Sequence, residues 1–241
     1  MEDIMLFIMS LVGTLNMRQV CKEWKNLFNQ LDNVTINRLI KNEKQHDYLR
    51  GFFPTVKFGV ELSDVSEIPQ WVVLDKYMIT LDLTGCIGLT NVNALTSTHA
   101  LHALDLTYCT NLTSVDVLAA LTSLHTLNLT YCISLTSVDV LGDLTSLHTL
   151  NLSHCPELTN VDALAAAPVL HTLDLSYCRG LTNVDTLAAS PALHTLDLSN
   201  SQLTNVDALA SAPALHTLDL SYCSGLTNVD ALAAVPNLIV G

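Results

Sequence analysis

LHTLDLSYCSGLTNVDALAAVPN, residues 215–237, is one unit of a pattern that runs back through the chain to Met78. Copies begin at Met78, Leu101, Leu124, Leu147, Leu170, Leu193 and Leu215, each 23 residues long except the sixth, which is 22. A unit this short cannot enclose its own apolar side chains. It buries them against its neighbours, so a fixed period of this size predicts a solenoid. Leucines two positions apart, as in Leu127-Asn128-Leu129, suit a strand that sends both leucines inward and the residue between them outward. Farther along the unit, Leu158, Val161 and Leu164 lie three apart, the spacing of short 3-10 turns. Stacked strands then make one long parallel sheet, and the turns make the opposite face.

The pattern L-x-x-L-x-L-x-x-C/N resembles the leucine-rich repeat. The resemblance implies an α/β repeat fold: a solenoid with a curved parallel β-sheet on the concave face, short 3-10 turns on the convex face, and a small N-terminal helical module. The 22-residue copy, residues 193–214, resembles the phosphatase-regulator and internalin class of these repeats. The other copies carry one more residue after the cysteine and resemble the cysteine-type repeats common in F-box receptors. Pro168, Pro191, Pro213 and Pro236 end the convex turn before the next strand.

Hydrophobic residues make up 49% of the 241 and aromatic ones only 5%, so the core is aliphatic and layered. No run of 18 apolar residues is present, which argues against a transmembrane helix. The net charge of −13 is uneven: residues 1–77 hold ten acids and nine bases, residues 78–241 thirteen acids and one base, Arg179. Such an acidic body repels nucleic acid and anionic lipid and favours basic protein surfaces. Six of the seven cysteines, Cys86, Cys109, Cys132, Cys155, Cys178 and Cys223, hold one repeat position, and Ser201 replaces them in the short copy. They read as small buried thiols acting as weak donors after the strand, not as a disulfide framework. An evenly spaced row does not converge on a point as tetrahedral ligands must, so no metal site or cofactor is expected. Reduced thiols place the protein in the cytoplasm or the nucleus.

Residues 4–15, IMLFIMSLVGTL, follow Glu2 and Asp3 rather than the positive charge of a secretory signal. The run IMSLVGTLNMRQVCKEWKNLF, residues 8–28, resembles an F-box, the helical module that docks substrate receptors onto the adaptor subunit of a cullin-RING ubiquitin ligase. Arg18, Val20, Cys21, Lys22 and Trp24 match its R-x-V-C-[KR]-x-W helix, and the resemblance implies adaptor binding by Val20, Cys21 and Trp24. The alternative is a plain cap for the apolar end of the solenoid, which every such array needs. The domain expectation is therefore 1–30 as F-box-like module or cap, 31–54 as a linker helix, and 55–241 as solenoid. Asp32 or Asn33 would cap the linker helix, and Ile36, Leu39 and Ile40 would form its apolar face. The solenoid opens on a degenerate repeat, 55–77, with Phe58 and Val60 placed 23 residues before Leu81 and Leu83 and Trp71 packed inside, and continues as seven repeats over 78–237.

Stacking sets equivalent residues about 4.8 Å apart, in ladders. Asp82, Asp105, Asn128, Asn151, Asp174, Asp197 and Asp219 point out from the concave sheet, between rows of Thr and Ser. Tyr108, Tyr131, His154, Tyr177 and Tyr222 run along its rim, with Gly85 and Asn200 at the remaining places. The acids are candidates for a basic protein partner and the tyrosines for interface anchors. Asp116, Asp139, Asp162, Asp185, Asp207 and Asp230 precede the convex turns and read as N-caps. His102, His125, His148, His171, His194 and His216 form a uniform row explained by repetition. Ser, His and Asp recur only at intervals set by the period, so no catalytic triad is expected. The expected function is protein binding, as the substrate receptor of an F-box-type ligase or as a free-standing scaffold or regulator.

Overall fold

The structure is a computed structural model and describes residues 35–52 and 57–241. These form a ten-stranded, wholly parallel sheet in sequential order. Its strands are β1 (Thr35–Ile40), β2 (Lys57–Glu61), β3 (Met78–Asp82), β4 (Ala103–Asp105), β5 (Thr126–Asn128), β6 (Thr149–Asn151), β7 (Thr172–Asp174), β8 (Thr195–Asp197), β9 (Thr217–Asp219) and β10 (Asn237–Ile239). Between β3 and β10 each coil returns through a 3-10 turn, from Asn93–Ser97 to Asp230–Leu232.

One coil shows how the sequence makes the fold. Leu101, Leu104, Leu106, Cys109, Leu112, Val115, Leu118 and Leu121 are all buried, on strand and turn alike. Burying a leucine fully contributes about 1.5–3 kcal/mol, and each is closed in by the equivalent residue of the coil before and after. Register is strict from β3 onward, Leu104 opposite Leu127 and Leu127 opposite Leu150. The coils stack closely on the loop after the cysteine. A Cβ on Gly180 would come within 2.4 Å of the Pro156 carbonyl oxygen, so only glycine fits.

Two expectations for the N-terminal coil are corrected. Residues 35–40 of the expected linker helix are a strand, and the helix is shorter: α1 spans Glu43–Phe52. Pairing decides this, because β1 lies beside β2 with Ile36 opposite Phe58 and Ile40 opposite Val60, while Asn37 and Arg38 bulge between. The cap is also different: Asn42 Oδ1 accepts the Gln45 N–H at 3.1 Å, and Gln45 Oε1 accepts the Lys41 N–H at 2.8 Å. The second correction is one of phase. Val60, not Phe58, pairs with Leu81, so the first coil is 21 residues long rather than 23. It returns through a short helix, α2 (Gln70–Val73), instead of a 3-10 turn.

A buried ion cluster binds α1 to that coil. Both Asp75 oxygens accept from the Arg50 guanidinium, with Nη2 to Oδ1 at 2.7 Å, while His46 Nε2 lies 2.7 Å from Oδ2 and the Tyr77 N–H donates at 2.8 Å. Burial raises the Asp75 carboxyl, but its hydrogen bonds and the nearby Arg50 charge outweigh that and hold it below the ordinary value of 3.8. Trp71 is half-buried, with its ring 5.0 Å from that of His46. The F-box-like stretch, including Val20, Cys21 and Trp24, lies outside the described residues.

Candidate functional site

The sheet face carries the residues singled out for partner binding. Asp105, Asn128, Asn151, Asp174, Asp197 and Asp219 stand in register along it, each between two buried leucines and each half-buried. Their side chains also have a structural task that the sequence reading missed. In every coil the Oδ1 accepts the backbone N–H two residues on: Thr107 to Asp105 at 2.8 Å, Thr130 to Asn128 at 3.1 Å, Ser176 to Asp174 at 2.9 Å, Ser199 to Asp197 at 2.8 Å. This turn ends the strand. Asn serves as well as Asp because only the oxygen is used.

Charge therefore remains for other work. Asp105 Oδ2 takes a 3.3 Å hydrogen bond from Asn128, whereas Asp174, Asp197 and Asp219 are three consecutive carboxylates. Burial pushes the Asp197 carboxyl up from its ordinary value, and Asp174 and Asp219 add repulsion, against hydrogen bonds from Ser199 that pull it down. No ion pair among the described residues involves these three.

The turn places the next residue in the left-handed region: Tyr108, Tyr131, His154, Tyr177, Asn200 and Tyr222 all have φ of 58–60°. A side chain with a Cβ costs about 1–2 kcal/mol there. Gly85 and Asn200 at this place were the sequence signal for that backbone, and the tyrosines obscured it. The rings form one column, with centroids 4.5 Å apart for Tyr108–Tyr131, 4.1 Å for Tyr131–His154 and 4.1 Å for His154–Tyr177. Tyr222 stands apart and is 74% exposed. Acids and rings thus line one face.

The remaining ladders are structural. Each repeat thiol donates to the carbonyl one residue past the strand of the preceding coil, as Cys132 Sγ does to Leu106 at 3.3 Å and Cys178 Sγ to Leu152 at 3.0 Å. Burial pushes the thiols of Cys109, Cys155 and Cys178 up to about 12, too high for a thiolate nucleophile. The expected capping by Asp116 and its equivalents is corrected. The acceptor lies two residues earlier, since the Asp162 N–H donates to Asn160 Oδ1 at 2.7 Å and that of Asp116 to Ser114 Oγ at 3.1 Å. The 3-10 turn starts at the aspartate itself, so its own N–H is the one in need of a partner. The histidines form two stacks, His102–His125 at 5.2 Å and His148–His171–His194–His216 at 4.6–4.8 Å. Desolvation and the flanking His148 and His194 push His171 below its ordinary 6.5. Among the described residues no three metal-ligating side chains converge, and no helix is long and apolar enough to cross a membrane.

With this geometry established, comparison with known proteins identifies the coils. A family model described as leucine rich repeats (2 copies) matches residues 122–166, 168–211 and 191–234. The coils over residues 122–234 match leucine-rich repeats. Solved structures resemble most of the chain. Internalin C2 of Listeria monocytogenes is 25% identical with a TM-score of 0.66, covering 80% of this chain and 81% of its own. An internalin from the same organism, inlF, is 17% identical with a TM-score of 0.59 over 93% of this chain and 75% of its own. A chain of the mouse RP105/MD-1 complex is 19% identical with a TM-score of 0.55 over 77% of this chain and 38% of its own. The last two likenesses concern the fold alone. No curated protein sequence matches the chain.

Proposed function

We propose that this leucine-rich repeat solenoid is a non-enzymatic protein-binding module whose concave sheet face receives a basic segment of a protein partner. The observation that carries the reading is the row Asp174, Asp197 and Asp219, half-buried and in register without an ion pair among the described residues. The flanking tyrosines supply contact area and the carboxylates supply attraction, the pairing that gives fast, specific association. The experiment compares affinity capture by the wild type with capture by a variant carrying Asn at Asp105, Asp174, Asp197 and Asp219. Asn already closes the same turn at Asn128 and Asn151, so the variant keeps its fold. The captured proteins should be basic, should be lost by the variant, and should fall away between about 50 and 500 mM salt as screening shortens. A captured set unchanged in the variant overturns the reading and moves docking to the convex side.

The role as substrate receptor of a cullin-RING ligase adds the resemblance at Arg18 to Trp24, and a free-standing cytoplasmic or nuclear scaffold is the alternative. Capture of the ligase adaptor by the wild type, lost in Trp24→Ala with the solenoid folded, separates them. No adaptor binding by the wild type leaves the scaffold.

A further inference from the structure

The aromatic column is interrupted at one coil, and the interruption has a specific composition. Tyr177 is stacked on His154 on one side, and its other face meets the coil of Asn200, whose side chain is too short to continue the stack. Tyr222 stands beyond it. That intervening coil is the 22-residue copy, lacking the extra loop residue that its neighbours carry after the cysteine. Two coil steps of about 4.8 Å set the Tyr177 and Tyr222 positions roughly 9.6 Å apart. A planar group inserted midway would lie about 4.8 Å from either ring, within the ~6 Å reach of a cation–π contact.

Charge is denser at this place than beneath the filled column. The coils of Tyr108, Tyr131, His154 and Tyr177 carry Asp105, Asn128, Asn151 and Asp174, two of them neutral, while those of Tyr177, Asn200 and Tyr222 carry Asp174, Asp197 and Asp219 in succession. The ladder of carboxylates is unbroken where the ladder of rings is broken. The next coil's carboxylate reaches this column: Asp174 acts on His154, raising its pKa against desolvation and Arg179, which hold it below 6.5. By the repeat, Asp219 stands to Asn200 as Asp174 does to His154. The carboxamide of Asn200 makes no hydrogen bond among the described residues and offers both a donor and an acceptor.

Resting on the protein-binding reading above, we propose that the notch at Asn200 is an arginine subsite: a guanidinium from the partner enters between Tyr177 and Tyr222 and pairs with Asp197 and Asp219. A planar cation that stacks on two faces and forks its N–H groups toward carboxylates fits; a compact ammonium does not.

The test uses the labelled full chain and two probes, Nα-acetylarginine amide and Nα-acetyllysine amide, followed by NMR shifts at Asn200, Tyr177 and Tyr222. Arginine should perturb all three and bind at least about ten-fold more tightly than lysine, the difference of one well-formed stacked contact. Asn200→Tyr fills the notch and should abolish the preference. Its fold is secured because tyrosine occupies this position, at the same φ, in four other coils. Asn200→Gly keeps both the notch and the backbone and should retain arginine binding within a few-fold. If Asn200→Tyr binds arginine like the wild type, or the wild type does not discriminate the two probes, the subsite is overturned. The wider reading then stands or falls separately, by capture with the four-aspartate variant.

Discussion

Residues 35–77 are fastened by charge and aromatic contact, whereas the coils from Met78 onward are fastened by repetition. In the first region one carboxylate, Asp75, gathers Arg50, His46 and the Tyr77 N–H, and the Arg50 guanidinium lies 4.5 Å from the Phe58 ring centroid. In the second, no ion pair among the described residues involves a side chain beyond Asp75. There each coil adds the same buried leucines, one thiol–carbonyl bond and one side-chain-closed turn. An interior coil is supported from both sides, so many small equal contacts suffice. A coil near the start of the stack has neighbours unlike itself, and a few strong, unique contacts close it instead.

The sharpest way to break this contrast is at Asp75. Asp75→Ala leaves Arg50 and His46 facing a site without its carboxylate and should cost about 3–5 kcal/mol, expressed as faster hydrogen exchange in α1 and β1. Equal loss of protection across β5–β9 would show instead that the array unfolds as one unit. The native Asp75 carboxyl is held below 3.8, so its stabilisation is complete above that pH and is lost as pH falls through the folded value. An acid titration followed by exchange in α1 checks the sign.

A smaller effect is expected inside the array. Cys132→Ala removes the thiol donor to the Leu106 carbonyl and leaves a small gap, costing about 1–2 kcal/mol in a denaturant melt. A loss as large as that at Asp75 would mean that single contacts matter equally in both regions. The smallest effect has the opposite sign. Asp197→Asn keeps the turn and removes a crowded charge, so at neutral pH stability should rise by less than about 1 kcal/mol. Because the folded carboxyl is pushed above 3.8, the wild type is penalised once pH exceeds the folded value, and the gain should vanish below 3.8. A loss of stability at neutral pH would show that both carboxylate oxygens are needed.

The parts legible in the sequence were those fixed by repetition: inward leucines, buried cysteines, 3-10 turns and a parallel sheet. The 21-residue first coil was misread because a slip of two residues leaves every side chain on the same face, so Phe58/Val60 and Val60/Leu62 both fit the alternation. Strand β1 was hidden because Asn37 and Arg38 interrupt its apolar pattern, and only β2 alongside makes it a strand. On the binding face, the row of acids was plain but its hold on the turn was not. Any Asp can accept an N–H two residues on, and nothing in the spelling says which ones do. The column of rings followed from the period, while its left-handed backbone showed only at Gly85 and Asn200.

The thiol bonds also give the chain an order of assembly. Cys132 reaches back to Leu106 and Cys155 to Leu129, each 26 residues earlier, so that carbonyl finds its partner only when the following coil has been made. The Asp75 closure needs nothing later than Tyr77. As the chain leaves the ribosome, that closure can form first and act as a template, and every new coil then completes the one before it. Growth from the N-terminus supplies each contact in the sequence in which it is required, over separations short enough to keep the search local.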